Sequence, residues 1–187
     1  LLRKRILYLL LYGTLQRPRA VDRIEAGFGE LVARRITEYL KATDRFHKTI
    51  VFCRDIEHAE RMREALVNQN ADRVAQNRRY VTRITGDSPE RAMELDSFID
   101  PAERYPVIAT TSKLLTTGVD TQTVHLIVLD TIVNSMTEFK QIVGRGSRIK
   151  EEYGKRFYTI MDFRNVTHHF RDPDFDGEPV QIIDYGE

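Results

Sequence analysis

Gln141, Arg145 and Arg148 carry the most specific chemistry in this chain. They stand four and then three residues apart, offsets that fall on one face of a helix. Two guanidiniums and a primary amide aimed at one point suit a polyanion, above all a nucleotide phosphate, which planar arginine donors grip in pairs. Gly144 and Gly146 interrupt the same stretch, QIVGRGSR, and glycine is a poor helix former. Close approach of another group to the backbone would explain them, as would a helix that loosens there. The plainer alternative is that both arginines are solvated cations at a helix C-terminus, where positive charge is favoured. The flanking amide and glycines favour phosphate recognition. About twenty residues upstream, Gly118 and Asp120 precede the apolar run VHLIVL. By themselves they read as a turn residue and its cap.

Regular elements must hold these groups in place. A helix is expected over residues 29–43, with Leu31, Ile36 and Leu40 as its apolar stripe. A strand over 49–53 (TIVFC) and a helix over 56–66 follow, then a polar stretch, 68–79, that reads as a loop with a helical turn. A second strand over 80–84 ends at Thr85-Gly86-Asp87. Asp87 or Ser88 is expected to cap the next helix, with Pro89 in its first turn and its end near residue 99. Further strands are expected at 107–110, 124–129 and 157–161, with a helix over 141–148 between the last two. The continuous apolar run at 124–129 suits a strand buried on both faces. Strands alternating with helices predict an α/β domain with a mainly parallel sheet of five or more strands in three layers.

Composition sets the outer bounds. A chain of 187 residues suffices for one well-buried domain. With 29 basic and 28 acidic residues the net charge is +1, so any nucleic-acid surface must be local. The single Cys53 lies in an apolar strand pattern and is expected to be a buried structural thiol in a reducing cytosol. The longest uncharged apolar run near the start, residues 6–12, is far short of the roughly 20 residues a membrane helix needs. Residues 1–28 are expected to be an N-terminal segment or linker, or residues of cloning origin.

The stretch TTGVDTQTVHLIVLDTIVNSMTEFKQIVGRGSRI, residues 116–149, resembles the last two motifs of the second motor lobe of superfamily 2 helicases. KTIVFCRDIEHAERMREAL, residues 48–66, resembles the strand and helix that open that lobe, and VIATTSKLLTTGVD, residues 107–120, its coupling motif. FYTIMDFRNVTHHFRDPDFDGEPV, residues 157–180, is similar to the segment after the motor in R (motor/restriction) subunits of type I restriction endonucleases. The resemblance implies a RecA-like lobe over residues 29–170, with 171–187 leading toward a following domain. It implies that Arg145 and Arg148 reach the γ-phosphate region of ATP, held with Mg mainly by a first lobe, and that Arg148 is the arginine finger. Gly118, Asp120, Gln141 and Gly144 would complete the nucleotide face, Asp120 at the ribose hydroxyls. Thr85, Gly86, Thr110 and Thr111 would hold DNA phosphates at the ends of parallel strands, with Arg54 as an added contact. Read alone, those threonines are equally plain strand ends.

Several signatures are missing from the chain. It contains no G-x-x-x-x-G-K-[ST] loop, no Asp-Glu-x-x box and no nuclease pattern of carboxylates with a lysine. It therefore reads as half of a motor, acting on ATP bound elsewhere, and alone it is expected to be inactive. The implied function is the C-terminal motor lobe of a cytoplasmic, ATP-dependent DNA translocase in a type I restriction–modification enzyme. Its partners would be DNA, the first motor lobe and nuclease domain of the same polypeptide, and modification and specificity subunits, with no membrane. The alternatives are the second lobe of another superfamily 2 DNA or RNA helicase, or a non-catalytic nucleic-acid-binding module built on a degenerate lobe. No metal site is expected. Residues 172–177 (DPDFDG) open like a calcium loop, but its twelfth position is Ile183 where a glutamate is required. His168 and His169 are adjacent, point in different directions and read as surface histidines.

Overall fold

The computed structural model describes residues 6–10, 21–112, 123–144, 158–170 and 179–184. Among these residues seven strands form one sheet in the order β3-β4-β2-β5-β6-β1-β7, and every pairing is parallel. They are β1 (Ile6–Leu10), β2 (Lys48–Cys53), β3 (Val81–Arg83), β4 (Ile108–Thr111), β5 (Val124–Asp130), β6 (Tyr158–Asp162) and β7 (Pro179–Asp184). The helices are α1 (Val21–Ala42), α2 (Ile56–Gln69), the short α3 (Ala71–Val74), α4 (Arg91–Ile99), α5 (Met136–Gly144) and α6 (Val166–Phe170). Parallel neighbours require crossover connections, and the helices that make them cover both faces of the sheet.

Side-chain alternation along the strands divides the core in two. On one face Val51, Cys53, Val128 and Met161 pack against Val32, Ile36 and Leu40 of α1 and Ala59, Met62 and Leu66 of α2. On the other, Ile50, Phe52, Ile127, Leu129 and Ile160 meet Phe98 of α4 and Phe139, Ile142 and Val143 of α5. This is the three-layer α/β architecture expected from the sequence. Cys53 is buried as predicted, and burial pushes its thiol well above the usual range. Fully buried Asn70 locks α1 to α2: its amide donates to the Thr37 hydroxyl and to the Leu66 carbonyl, both at 2.8 Å, and its carbonyl accepts from Arg45. A buried amide is tolerable only when its groups are satisfied in this way.

Several parts of the fold differ from the sequence expectation, among them α5, which begins at Met136, five residues before the expected start at 141. Two stretches assigned outside the lobe, residues 1–28 and 171–187, contribute strands: β1 pairs with β6 on one side and with β7 on the other. Helix α1 begins at Val21, eight residues before the expected start at 29. Helix α4 begins at Arg91 after Glu90, with no side-chain cap. The Asp87 carboxylate is engaged instead by the Thr85 hydroxyl and by Arg83 at 3.1 Å, and those contacts hold its pKa below the usual carboxylate value. Ser88 Oγ accepts from the Thr85 amide at 3.3 Å. The competing local turn thus takes both candidate caps.

Lys48 opens β2 and is only 7% exposed. Its Nζ donates to the Pro106 carbonyl at 2.7 Å and lies 5.2 Å from the Phe98 ring centroid. Burial lowers its pKa from 10.5 to about 8. Below that pH both folded and unfolded chains are protonated, and the cost of a buried charge is fully present. Between about pH 8 and 10.5 the unfolded chain binds more protons, so the lysine's contribution to stability improves as pH rises. Urea melts at pH 7 and 9.5 should show the parent chain gaining on a Lys48→Met variant by on the order of 1–2 kcal/mol. A difference that stays constant would show that the lysine titrates as it does in water.

Candidate nucleic-acid and nucleotide site

Because all strands run the same way, their C-terminal ends line one edge of the sheet. Strands β3, β4 and β2 are neighbours, so Thr85–Gly86, Thr110–Thr111 and Arg54 are brought to adjoining positions. The Ile84 amide donates to the Thr110 carbonyl at 2.9 Å, and the Thr111 hydroxyl lies 2.8 Å from the Ile84 carbonyl. Ser112 and Arg54 line the same open groove, together with Asp55, Ile56 and Glu57. The edge of an α/β sheet beyond its strand C-termini is where such folds bind ligands.

The five positions are not equivalent. Arg54 and Gly86 are exposed, whereas Thr85, Thr110 and Thr111 are buried. Thr110 pairs with Val51 on the α1–α2 face, and its buried hydroxyl has no hydrogen-bond partner among the described residues. Thr111, the next residue, turns its hydroxyl to the opposite face. Two adjacent strand residues cannot aim both hydroxyls at one phosphate, so any joint contact must use the backbone at the strand end. Arg54 Nε donates to Asp55 Oδ2 at 2.9 Å. Asp55 also caps α2, its Oδ1 accepting from the His58 amide at 2.7 Å. The arginine first, and the capped amide second, hold Asp55 below the usual carboxylate range.

On the nucleotide side, Gln141 is exposed on α5 and Gly144 closes that helix, half-buried. Among the described residues, beyond its chain neighbours and its own helix backbone, nothing lies within 4 Å of where a Cβ at Gly144 would stand, so that space is open. Gly118, Asp120, Arg145 and Arg148 lie outside the described residues, as does the DPDFDG stretch. His168 and His169 are exposed on α6, their rings edge-on at 5.5 Å.

A cluster that the sequence did not reveal lies behind the edge. Asp130 ends β5 with no exposed surface. Arg164 Nε and Nη2 reach its Oδ1 at 2.8 and 2.7 Å, and His58 Nε2 stands 3.0 Å from its Oδ2. Arg164 also lies 4.4 Å from the Phe28 ring centroid of α1. Its own amide donates to Asp162 Oδ1 at 2.9 Å, while Asp162 Oδ2 accepts from the Thr167 amide and hydroxyl, both at 2.7 Å. The hint in the sequence is that an acid, Asp130, directly follows the apolar run LIVL.

This arrangement defines a class. Residues 32–150 match the helicase conserved C-terminal domain, and the chain belongs to that family. Its fold is that of RecA-like helicase C-terminal lobes. The chain is 58% identical over 155 residues to the endonuclease subunit of the type I restriction enzyme EcoAI of Escherichia coli, covering 83% of this chain and 19% of that subunit. It is 33% identical over 144 residues to the EcoKI endonuclease subunit of E. coli K12, covering 72% and 12%. An HsdR-subunit fragment of a type I restriction enzyme from Vibrio vulnificus YJ016 superposes with a TM-score of 0.86 at 40% identity, over 97% of this chain and 36% of that one. Dbp5 of S. cerevisiae shares the fold alone, with a TM-score of 0.62 at 16% identity, over 98% of this chain and 42% of that one. The chain thus spans about a fifth or less of the length of these two E. coli relatives.

Charge and exposure differ across the Asp130 cluster, and the two sides should respond differently to mutation. Arg164→Ala leaves a fully buried carboxylate with only an imidazole beside it, and should cost about 3 kcal/mol or more. Asp130→Asn leaves an arginine that is 36% exposed and can turn to water, and should cost less, about 1–2 kcal/mol. Denaturant unfolding of the two variants checks the order. If the asparagine variant were the weaker of the two, the desolvation account of this cluster would be wrong.

Proposed function

We propose that this chain is the C-terminal motor lobe of an ATP-dependent DNA translocase, within the R subunit of a type I restriction–modification enzyme. The observation that carries the reading is the 58% identity to an endonuclease subunit of such an enzyme, in a chain that has the Gln-x-x-Gly-Arg-x-x-Arg spacing. Residues 29–170 are the lobe proper in this reading, its sheet extended by β1 and β7, and 171–187 lead toward a following domain. DNA, a first motor lobe and nuclease domain on the same polypeptide, and modification and specificity subunits are its partners.

The donor set fits a nucleotide. Gln141, Arg145 and Arg148 offer amide and guanidinium donors to phosphate oxygens, Gly118 and Gly144 belong to the same nucleotide face, and Asp120 is the residue for the ribose hydroxyls. ATP, bound with Mg mainly by the first lobe, supplies the phosphoryl group whose transfer to water drives the motor. The role of Arg145 and Arg148 is to place positive charge where negative charge accumulates during that transfer, with Arg148 as the finger. Arg54, Thr85, Gly86, Thr110 and Thr111 meet the DNA backbone. Contacts of this kind grip phosphates without reading bases, so target choice falls to another subunit. Without a phosphate loop of its own, the isolated chain hydrolyses no ATP.

In the intact polypeptide, Arg148→Ala should lower DNA-stimulated ATP turnover by roughly 10³-fold or more, with a much smaller change in nucleotide affinity. Arg148→Lys should remain slow, because an ammonium cannot reproduce the planar fork. Steady-state turnover and nucleotide-binding titrations read both effects. A lysine variant that turns over at close to the parent rate would remove Arg148 from the finger role.

A further inference from the structure

The Asp130 cluster ends on Arg54, and this gives it a function beyond stability. His58 Nδ1 accepts the backbone N–H of Arg54 at 3.2 Å. A ring nitrogen that accepts carries no proton, so in the neutral ring the proton sits on Nε2, the side that stands 3.0 Å from Asp130 Oδ2. That approach is close without being linear, since Oδ2 has no aligned hydrogen-bond donor. His58 also gives its own amide to Asp55 Oδ1 at 2.7 Å, and the Ala59 amide reaches the Asp55 carbonyl at 3.0 Å. The turn that carries Arg54 is thus gripped by the ring and the backbone of one histidine, and the ring is seated against a carboxylate anchored in β5. A buried carboxylate costs several kcal/mol in lost solvation. An apolar residue at the end of β5 would finish the strand without that cost, so the explanation for the acid lies in what it holds.

We propose that His58, seated on Asp130 and Arg164, is a positioning residue that presents Arg54 to the DNA backbone. This rests on the reading of Arg54 as a DNA contact. Arg54 lies against the neighbouring Asp55 carboxylate at 2.9 Å. Its guanidinium must exchange that partner for a phosphate, and only a fixed backbone turns the exchange toward the groove shared with Ser112. Freed from His58, the turn no longer aims the arginine at that groove.

The test is a double-mutant cycle in the intact polypeptide, read as the duplex concentration that half-saturates ATP turnover, with KM for ATP measured alongside. Arg54→Ala should raise that concentration about 3- to 10-fold, the effect of losing one phosphate contact. His58→Ala should raise it by a similar factor in the parent background and by less than about 1.5-fold in the Arg54→Ala background, since it acts only through that arginine. KM for ATP should stay within about twofold throughout, because the DNA contact is not a nucleotide contact. His58→Asn places a side-chain oxygen close to where Nδ1 stood and should recover most of the binding. His58→Gln puts its polar end near Asp130 instead and should not, and this pair decides the matter if the alanine variant fails to fold. Equal penalties in the two backgrounds, or equal behaviour of the asparagine and glutamine variants, would overturn the positioning role and leave the DNA reading intact. If Arg54→Ala alone has no effect, Arg54 is not a DNA contact and both fall together.

Discussion

Strand Lys48–Cys53 is hydrogen-bonded along both edges, to Ile108–Thr111 and to Val124–Asp130, with all three strands running in one direction and all six of its residues buried. Much follows from that single constraint. Parallel pairing forbids tight hairpins, so each return passes through a crossover that buries one face or the other. With both faces apolar, polar groups are left to the strand ends. Because the directions agree, those ends gather on common edges, and the sheet order decides which of them can meet. Arg54, Thr85 and Thr111 become neighbours through the order β3-β4-β2 although more than fifty residues separate the first from the last.

Lys48 and Asp130 are both buried, and the fold handles them in opposite ways. Lys48, at the N-terminal edge, has the Pro106 carbonyl and the Phe98 ring against its ammonium, and burial lowers its pKa although Glu103 and Asp100 act the other way. Asp130, at the C-terminal edge, holds Arg164 Nε and Nη2 on its Oδ1 and has the His58 ring 3.0 Å from its Oδ2. The contrast follows from position. The C-terminal edge is where Arg54, Arg83 and Arg164 lie, and their pairing with Asp55, Asp87 and Asp130 makes that edge an ordered charge lattice rather than a loose basic patch. This agrees with a net charge of only +1 on the whole chain. Attraction to a polyanion here has to be local and positioned.

The central strands and their helices were legible because their signals are local. An apolar run of strand length, such as VHLIVL, or an apolar stripe at helical spacing, such as Leu31, Ile36 and Leu40, needs no knowledge of its partner. Strand β1 was not legible, since its partners β6 and β7 lie some 150 residues away and nothing in ILYLL names them. The start of α4 was misplaced because Asp87 and Ser88 are good caps in general, while Thr85 and Arg83 claim them in this fold. The positions of Arg54, Thr85, Gly86, Thr110 and Thr111 on one edge could be read from motif order, but the opposed hydroxyls of Thr110 and Thr111 could not. The trio of His58, Asp130 and Arg164 was invisible, for it draws one residue from each of three separate elements with no characteristic spacing. Gly144 offered a signal of close approach, but among the described residues the space where its Cβ would stand is open, so sterics there do not explain the glycine.

The central claim is that the C-terminal edge of the sheet, beside Arg54, meets DNA. Amide hydrogen exchange on the intact polypeptide, with and without duplex DNA, tests this most directly. The account predicts added protection at residues 54–55, 85–87 and 111–112, with the opposite edge around residues 44–48 and 104–107 unchanged. Protection confined to that opposite edge, with the Arg54 turn exchanging as before, would contradict it.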